Sequence, residues 1–108
     1  MMENKSLFVE FFGDYPLIRV LDFLIEQEGF DYSEKEICKY ANVSWNTLKT
    51  FWEKLVETKI VAPTRKIGKV QMYKLNTENP IVKQLIELDN KLMKKSLEEA
   101  EEKAKAYA

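Results

Sequence analysis

Apolar residues in the first third of the chain recur at the spacing of an amphipathic α-helix. Between residues 15 and 27 they return every three or four positions, which predicts a helix there. Asp14 is expected to cap this helix, Pro16 suits its first turn, and Gly29 is expected to end it. Residues 6–13 are also apolar, but the segment is too short for periodicity to separate a helix from a strand.

Two further helices are predicted next to each other, joined by a tight turn. Ser33 and Glu36 have the spacing of a capping box, which opens a short helix that ends near Asn42. That helix turns three residues to one face: Ile37, Tyr40 and Ala41. Ser44 is expected to cap a longer helix that continues to about Thr58. Its inward positions are Leu48, Trp52, Leu55 and Val56, and its outward positions are Trp45, Asn46, Lys49, Thr50 and Glu53.

Strand patterns follow these helices. Residues 60–66 and 70–75 are separated by a short turn in which Gly68 can take the positive φ of a tight hairpin. Pro63 lacks the N–H that a central strand needs, so its strand is expected at an edge of the sheet. Residues 30–32 alternate apolar and polar side chains, which indicates another short strand. The predicted fold class is therefore mainly α with a small β-hairpin.

A long helix is predicted from residue 80 to the end of the chain, because no later residue interrupts the helical pattern. About 28 residues at 1.5 Å each would span roughly 42 Å, more than the width of a domain of this size. Its apolar stripe has the spacing of a coiled-coil seam: Ile81, Leu85, Leu88 and Leu92. We expect this stripe to form a homodimer interface, together with Leu7, Phe8, Phe11 and Phe12. The alternative is a helix folded back across its own domain.

These patterns divide the chain into three parts. Residues 1–13 form an apolar N-terminal segment that is available for dimer contact, and residues 14–76 form the central domain. Residues 77–108 form the C-terminal dimerisation helix. A chain of 108 residues with 45% hydrophobic and 32% charged residues is typical of one globular domain.

Composition excludes several kinds of chemistry. The chain has no histidine, so catalysis by histidine and metal sites with histidine ligands are excluded. Cys38 is the single cysteine and cannot form an intramolecular disulfide or a thiolate cage. The acidic residues are scattered, so we expect no enzyme activity, no cofactor and no metal. No apolar run approaches the ~18 residues that cross a bilayer, and the first residues lack a signal-peptide pattern. We therefore expect a cytoplasmic protein without a membrane partner.

The net charge of −1 hides a strong asymmetry along the chain. Residues 1–34 hold two basic and eight acidic residues, whereas residues 35–74 hold nine basic and three acidic ones. Residues 75–108 hold six basic and seven acidic residues and are nearly balanced. An electropositive middle suits phosphate binding, since phosphate contacts supply most of the affinity for nucleic acid. The alternative is a solvated, lysine-rich surface without a function.

Two adjacent capped helices with a polar outer face predict a helix-turn-helix, in which the second helix enters the DNA major groove. Asn46 can bind adenine, Lys49 can donate to guanine, and the Thr50 methyl group can contact thymine. Trp45 either contacts DNA or packs against the first helix. The candidate residues for the DNA backbone are Lys35, Lys39, Ser44, Lys54, Arg65, Lys66 and Lys69. We thus expect helix 44–58 in the major groove and the hairpin tip, 64–70, on the backbone or in the minor groove.

The stretch from residue 15 to residue 76 resembles a prokaryotic winged helix-turn-helix regulator. It is most similar to the small archaeal ones and to the ArsR-like superfamily. The residues that carry the resemblance are Ile37, Ala41, Val43, Ser44, Thr47, Leu55, Ile60, Val61, Gly68, Tyr73 and Leu75. The resemblance implies a DNA-binding transcription regulator, usually a homodimer, with the hairpin as its wing and double-stranded DNA as its partner.

Two departures from that family pattern limit what the resemblance implies. The family often has glycine where Lys59 stands, so the turn into the wing is expected to differ. Members that sense metals use cysteine and histidine ligands that this chain lacks, so metal sensing does not carry over. Two other functions stay open: a winged-helix module that binds proteins of the transcription or replication machinery, and an architectural DNA-binding protein without sequence preference.

Overall fold

The computed structural model describes residues 5–106, which form six α-helices and one three-stranded antiparallel sheet. The helices are α1 (Leu7–Phe12), α2 (Pro16–Glu26), α3 (Glu34–Ala41), α4 (Trp45–Lys49), α5 (Trp52–Glu57) and α6 (Pro80–Ala106). The strands are β1 (Tyr32–Ser33), β2 (Val61–Ile67) and β3 (Val70–Leu75). The protein is therefore mainly helical with a small sheet, as its sequence pattern predicts. Within residues 5–106, no helix is both long enough and apolar enough to cross a membrane.

The N-terminal half of the fold depends on one arginine. The apolar pattern placed α2 correctly, but the prediction that Asp14 caps it is wrong, because Tyr15 holds the cap position without a side-chain bond. The Asp14 carboxylate instead accepts a hydrogen bond from Arg19 Nη1 at 2.9 Å. Arg19 also donates to the backbone oxygens of Ala41 at 3.1 Å and Asn42 at 3.1 Å. It therefore ties α2 to the carboxyl end of α3, where helix carbonyls lack partners.

Local capping signals define α3. Ser33 Oγ accepts from Glu36 N at 3.1 Å, and Glu36 Oε1 accepts from Ser33 N at 2.9 Å, which confirms the capping box. The helix ends at Asn42, which has the left-handed φ of 55°. The sequence pattern predicts Tyr40 on the same face as Ile37 and Ala41. This prediction is wrong, because Tyr40 lies outside their buried face. It is 52% exposed, and its ring stacks on the ring of Phe23 instead.

The helix predicted from Ser44 to Thr58 is divided into α4 and α5. Ser44 caps α4 as predicted, accepting from Thr47 N at 3.2 Å. The interruption lies at Thr50, whose hydroxyl donates to the Thr47 carbonyl at 2.6 Å while its backbone N–H bonds to the same oxygen. A threonine side chain that bonds to the backbone competes with regular helix geometry, which accounts for the break. The buried face nevertheless continues across it, from Leu48 to Trp52.

The sheet has the strand order β1-β3-β2. β2 and β3 form the predicted hairpin, with Ile67 paired to Val70 and Gly68 at a φ of 63° in the two-residue turn. β2 is an edge strand, as Pro63 predicted. The pairing shifts register between Pro63 and Lys66, so the intervening residues form a bulge.

The core is a single cluster to which nearly every element contributes. Its fully buried side chains include Phe8, Val20, Leu24, Ile37, Leu48, Val61, Leu75 and Val82. The first turns of α6 belong to this core, because Val82 is buried and Leu85 and Ile86 pack against it. Residues 93–106 are all exposed. The long helix therefore packs on its own domain at its start, as in the folded-back alternative, whereas its last turns are exposed.

The core predicts a large effect for one buried side chain. Ile37→Ala, at a fully buried position, is expected to lower the free energy of unfolding by about 2–5 kcal/mol, since it leaves a cavity. Ile67→Ala, at a position 53% exposed on the hairpin, is the matched control and should cost at most about 1 kcal/mol. Urea unfolding at one fixed protein concentration measures both, and equal losses would contradict the assigned core.

Candidate nucleic-acid interface

The outer face of α4 holds the four residues predicted to contact bases. Trp45, Asn46, Lys49 and Thr50 are all exposed, with Trp45 at 42%. The first three lie within α4 and Thr50 is its C-terminal cap residue. Leu48 on the opposite face is buried, so this short helix is anchored by one face and presents the other. Ser44 has a structural role at the start of α4, because its hydroxyl also donates to Thr47 Oγ1 at 2.8 Å.

Lys49 is held by a carboxylate from α3. Its Nζ lies 2.7 Å from Glu34 Oε1 and 4.7 Å from the centre of the Trp45 ring. The hydrogen bond to Glu34 is the main reason that the pKa of Lys49 is raised above its usual range. Lys49 therefore stays charged, and its charge is directed to Glu34 and to the face of an indole.

Arg65 is held in a similar way where the hairpin meets the body of the protein. Its Nε donates to Asp31 Oδ2 at 2.9 Å and its Nη2 donates to Asp31 Oδ1 at 3.2 Å. Thr64 Oγ1 donates to Asp31 Oδ2 at 2.6 Å. These bonds, chiefly the one from Arg65, lower the pKa of the Asp31 carboxyl. Asp31 therefore fixes the bulge of β2 against the loop that precedes β1.

The other predicted backbone contacts are exposed lysines on neighbouring elements. Lys35 and Lys39 lie on α3, Lys54 on α5, and Lys66 and Lys69 on the hairpin. Within residues 5–106, none of these five forms an ion pair. α3 contacts α4, α4 contacts α5, and α5 contacts β2, so the lysines belong to consecutive elements of one packed unit.

The residues predicted for the dimer interface fall into three groups. Phe11 (62%), Phe12 (37%) and Ile81 (59%) are exposed. Those that are half-buried are Leu7, Leu85, Leu88 and Leu92. Phe8 is only 1% exposed and belongs to the core of its own chain, so it has no surface to offer a partner.

The sequence pattern does not identify Asp31 or Glu34, the two carboxylates that form ion pairs with cations of this surface. Their cationic partners are 34 and 15 residues away along the chain, so no local spacing connects them. Arg65 and Lys49 were selected for their own charge, and only the fold shows that each faces an acid. The only sign of these ion pairs in the sequence is that the two acids lie close to Ser33, at the start of the basic region.

A second group of acids behaves differently. Burial raises the pKa values of Asp22 and Glu26 on α2 and of Asp89 on α6. Repulsion from Asp89 adds to the rise for Asp22, and repulsion from Asp22 and Asp89 adds to it for Glu26. Burial likewise raises the pKa of the Cys38 thiol, which disfavours the reactive thiolate.

In the described part of the chain, residues 5–106, no group of three or more cysteine, histidine or acidic side chains could hold a metal ion.

Comparisons of the chain with models of known protein families, with curated proteins and with solved structures find no match.

The two kinds of acid predict opposite pKa shifts. In carboxyl NMR titrations, Asp31 should titrate below the usual range of aspartate and Asp22 above it. Arg65→Gln should raise the pKa of Asp31 and leave that of Asp22 unchanged, because only Asp31 bonds to Arg65. An Asp31 pKa that does not respond to this substitution would contradict the ion pair.

The lowered pKa of Asp31 also makes the stability of the fold depend on pH. Because folding lowers the pKa of Asp31, the ionised carboxylate stabilises the fold at neutral pH, and this contribution is lost as the pH falls through the folded-state pKa. Asp22 has the opposite sign, so its contribution is present in acid and is lost as the pH rises through its folded-state pKa.

Proposed function

We propose that the protein is a transcription regulator that binds double-stranded DNA as a winged helix-turn-helix homodimer. The segment α4–α5 enters the major groove, and the β2–β3 hairpin lies on the backbone or in the minor groove. The observation that carries this proposal is the outer face of α4. It places an indole, an amide, an ammonium group and a threonine side chain in solvent on a helix braced by α3. Polar and aromatic side chains of this kind read base edges in the major groove.

The order of the elements supports the winged-helix assignment. α3 and α4 are joined by a turn of three residues, and the β2–β3 hairpin directly follows α5. β1 pairs with β3, so the hairpin continues a sheet that begins before α3. Lys59 adopts a φ of 60° at the position where the family that this chain resembles often has glycine. The backbone turn into the hairpin is thus of the left-handed kind that glycine favours, although the residue is lysine.

The contacts on α4 suggest a role for each side chain. The Thr50 hydroxyl is bonded to the Thr47 carbonyl, which leaves the methyl group for contact with thymine. Asn46 is exposed, and its side-chain amide has both a donor and an acceptor, so it is the candidate for adenine. Lys49 must exchange Glu34 for a guanine before it can read a base. Trp45 contributes an exposed apolar surface at the start of the helix.

A homodimer would present two such helices to DNA, with centres about 34 Å apart on one face of the duplex. The support for a dimer is apolar surface on α1 and α6 that nothing in the described part of the chain covers, including Phe11 and Ile81. Beyond residue 92 all described residues of α6 are exposed, and they include the apolar side chains of Met93 and Leu97. A second copy of the chain would cover this surface.

The hairpin lysines predict a measurable salt effect. Lys66→Ala combined with Lys69→Ala should weaken binding to every duplex sequence, because two phosphate contacts are lost. The slope of log affinity against log salt should become flatter by up to about 1.8, at roughly 0.9 for each lost contact. Fluorescence anisotropy with a duplex selected from a random library, and with an unselected duplex, measures both quantities.

Lys103→Ala combined with Lys105→Ala is the matched control, because it removes the same charge from the far end of α6. If both double variants lose equal affinity, the hairpin does not contact DNA. Absence of binding to any duplex would favour the protein-interaction module. Equal binding to selected and unselected duplexes would favour the architectural protein.

The exposed part of the α6 stripe predicts a dimer in sedimentation equilibrium at micromolar concentration. Ile81→Glu should shift the protein towards monomer, since it places a charge in the proposed seam while removing little from the core. Ile67→Glu makes the same change at a similarly exposed position on the hairpin and should leave the dimer intact. A wild-type monomer at this concentration would refute the dimer.

A further inference from the structure

We propose that Asp31 and Glu34 restrain the affinity of this protein for the DNA backbone and thereby determine how well it distinguishes its own site from other DNA. On unselected DNA, the two carboxylates occupy cationic groups that would otherwise bind phosphate: Arg65, and Lys49, which leaves Glu34 only to read guanine in the protein's own site. This inference rests on the proposed DNA-binding function and names two acidic residues as determinants of its specificity.

The geometry at Asp31 resembles that of a bound phosphate. Arg65 approaches the carboxylate with two nitrogens, Nε at 2.9 Å and Nη2 at 3.2 Å, and Thr64 adds a hydroxyl at 2.6 Å. The planar guanidinium group binds carboxylates and phosphates through the same paired donors. Arg65 is 64% exposed, so a duplex can reach it, but the donors that would hold a phosphate already hold Asp31.

Glu34 acts in the same way on the recognition face. It binds the Lys49 ammonium group at 2.7 Å, and the lysine side chain is 47% exposed. Glu34 is the first residue of α3 and Asp31 immediately precedes β1, so both acids belong to the segment that joins the sheet to the helix-turn-helix. Glu36, two residues later, bonds to the Ser33 backbone and has a structural role instead.

Charge balance gives the expected direction of the effect. Of the seven cationic side chains proposed for the interface, Lys49 and Arg65 are neutralised in ion pairs, and each carboxylate also repels approaching phosphates. Binding to unselected DNA depends almost entirely on phosphate contacts, whereas binding to a selected site adds contacts to bases. The two acids therefore weaken unselected binding in greater proportion than selected binding.

If Asp31 only positioned Arg65 for DNA, its removal would change the affinity for DNA in the opposite direction. If Asp31 served to aim Arg65 at the duplex, its removal would weaken binding to DNA. If it restrains Arg65, its removal frees a cation and strengthens binding. Exposed ion pairs contribute little to fold stability, so Asp31→Asn and Glu34→Gln, which keep shape and remove charge, are suitable tests.

The experiment measures anisotropy of an unselected and a selected duplex over a range of salt concentrations, using the full chain. Each single variant should bind the unselected duplex more tightly, by about tenfold at low salt, and steepen the salt slope by roughly 0.9 for the freed cation. The ratio of selected to unselected affinity should fall. Glu57→Gln is the matched control, because it removes one negative charge from an exposed position on α5 that has no ion pair within residues 5–106.

A second comparison isolates the pair itself. Arg65→Ala should change the salt slope by less than Lys66→Ala in the wild type, and by as much as Lys66→Ala in the Asp31→Asn background. The proposal is overturned if the single variants bind unselected DNA no better than the wild type, or if Glu57→Gln has the same effect as they do. Wild-type protein and variants that all fail to bind any duplex would refute the proposed function itself. If the wild type binds DNA and the variants bind it with the same affinity, only the proposed restraint is refuted.

Discussion

A chain of this length can build only one hydrophobic core, and that constraint decides where every other side chain lies. Each helix or strand has one face to contribute to the cluster around Ile37, Leu48 and Val82, which are completely buried. Since α4 packs the face that carries Leu48 into the core, its other face is exposed. The outward position of Asn46 and Lys49 is thus a consequence of core packing and not of a separate structural device.

A short polar segment, residues 31–36, connects the parts that surround this core. Asp31 binds the hairpin, Ser33 and Glu36 start α3, and Glu34 binds α4. Most of these bonds are partly exposed, so their contribution to stability is modest, but they set the relative position of the hairpin and the helices. Two of these acids, Glu34 and Asp31, also form ion pairs with cationic side chains of the same surface, Lys49 and Arg65.

The cations proposed for DNA and the acids with raised pKa values lie on different elements. The seven cationic side chains of the candidate interface lie on α3, α4, α5 and the hairpin, whereas Asp22 and Glu26 lie on α2 and Asp89 lies on α6. Exposed apolar residues lie on both groups of elements, Phe11 and Ile81 on α1 and α6, and Trp45 and Ile67 on α4 and the hairpin. The distribution of these charges is compatible with one surface for DNA and another for a second copy of the chain, as proposed above.

The sequence by itself determined whatever depends on neighbouring residues. The capping box at Ser33, the cap at Ser44 and the tight turn at Gly68 are found where local spacing predicts them, because each involves residues within a few positions. The apolar periodicity also predicted the buried positions Ile37, Leu48, Trp52 and Leu55. It failed at Thr50, where a single side-chain hydrogen bond interrupts the helix, since periodicity does not detect competition for a carbonyl.

Only the tertiary structure decided which charges meet. Arg65 is a cation without a partner in the local sequence, and only the packing of β2 brings it to Asp31. The fold likewise leaves Tyr40 exposed and stacks its ring on that of Phe23 on another helix. These two pairings join residues far apart in the chain, whereas Asp14 and Arg19, which form an ion pair at 2.9 Å, are close neighbours in sequence. Local pattern therefore identified most of the elements, whereas the ion pairs that set the charge of the surface were decided by packing.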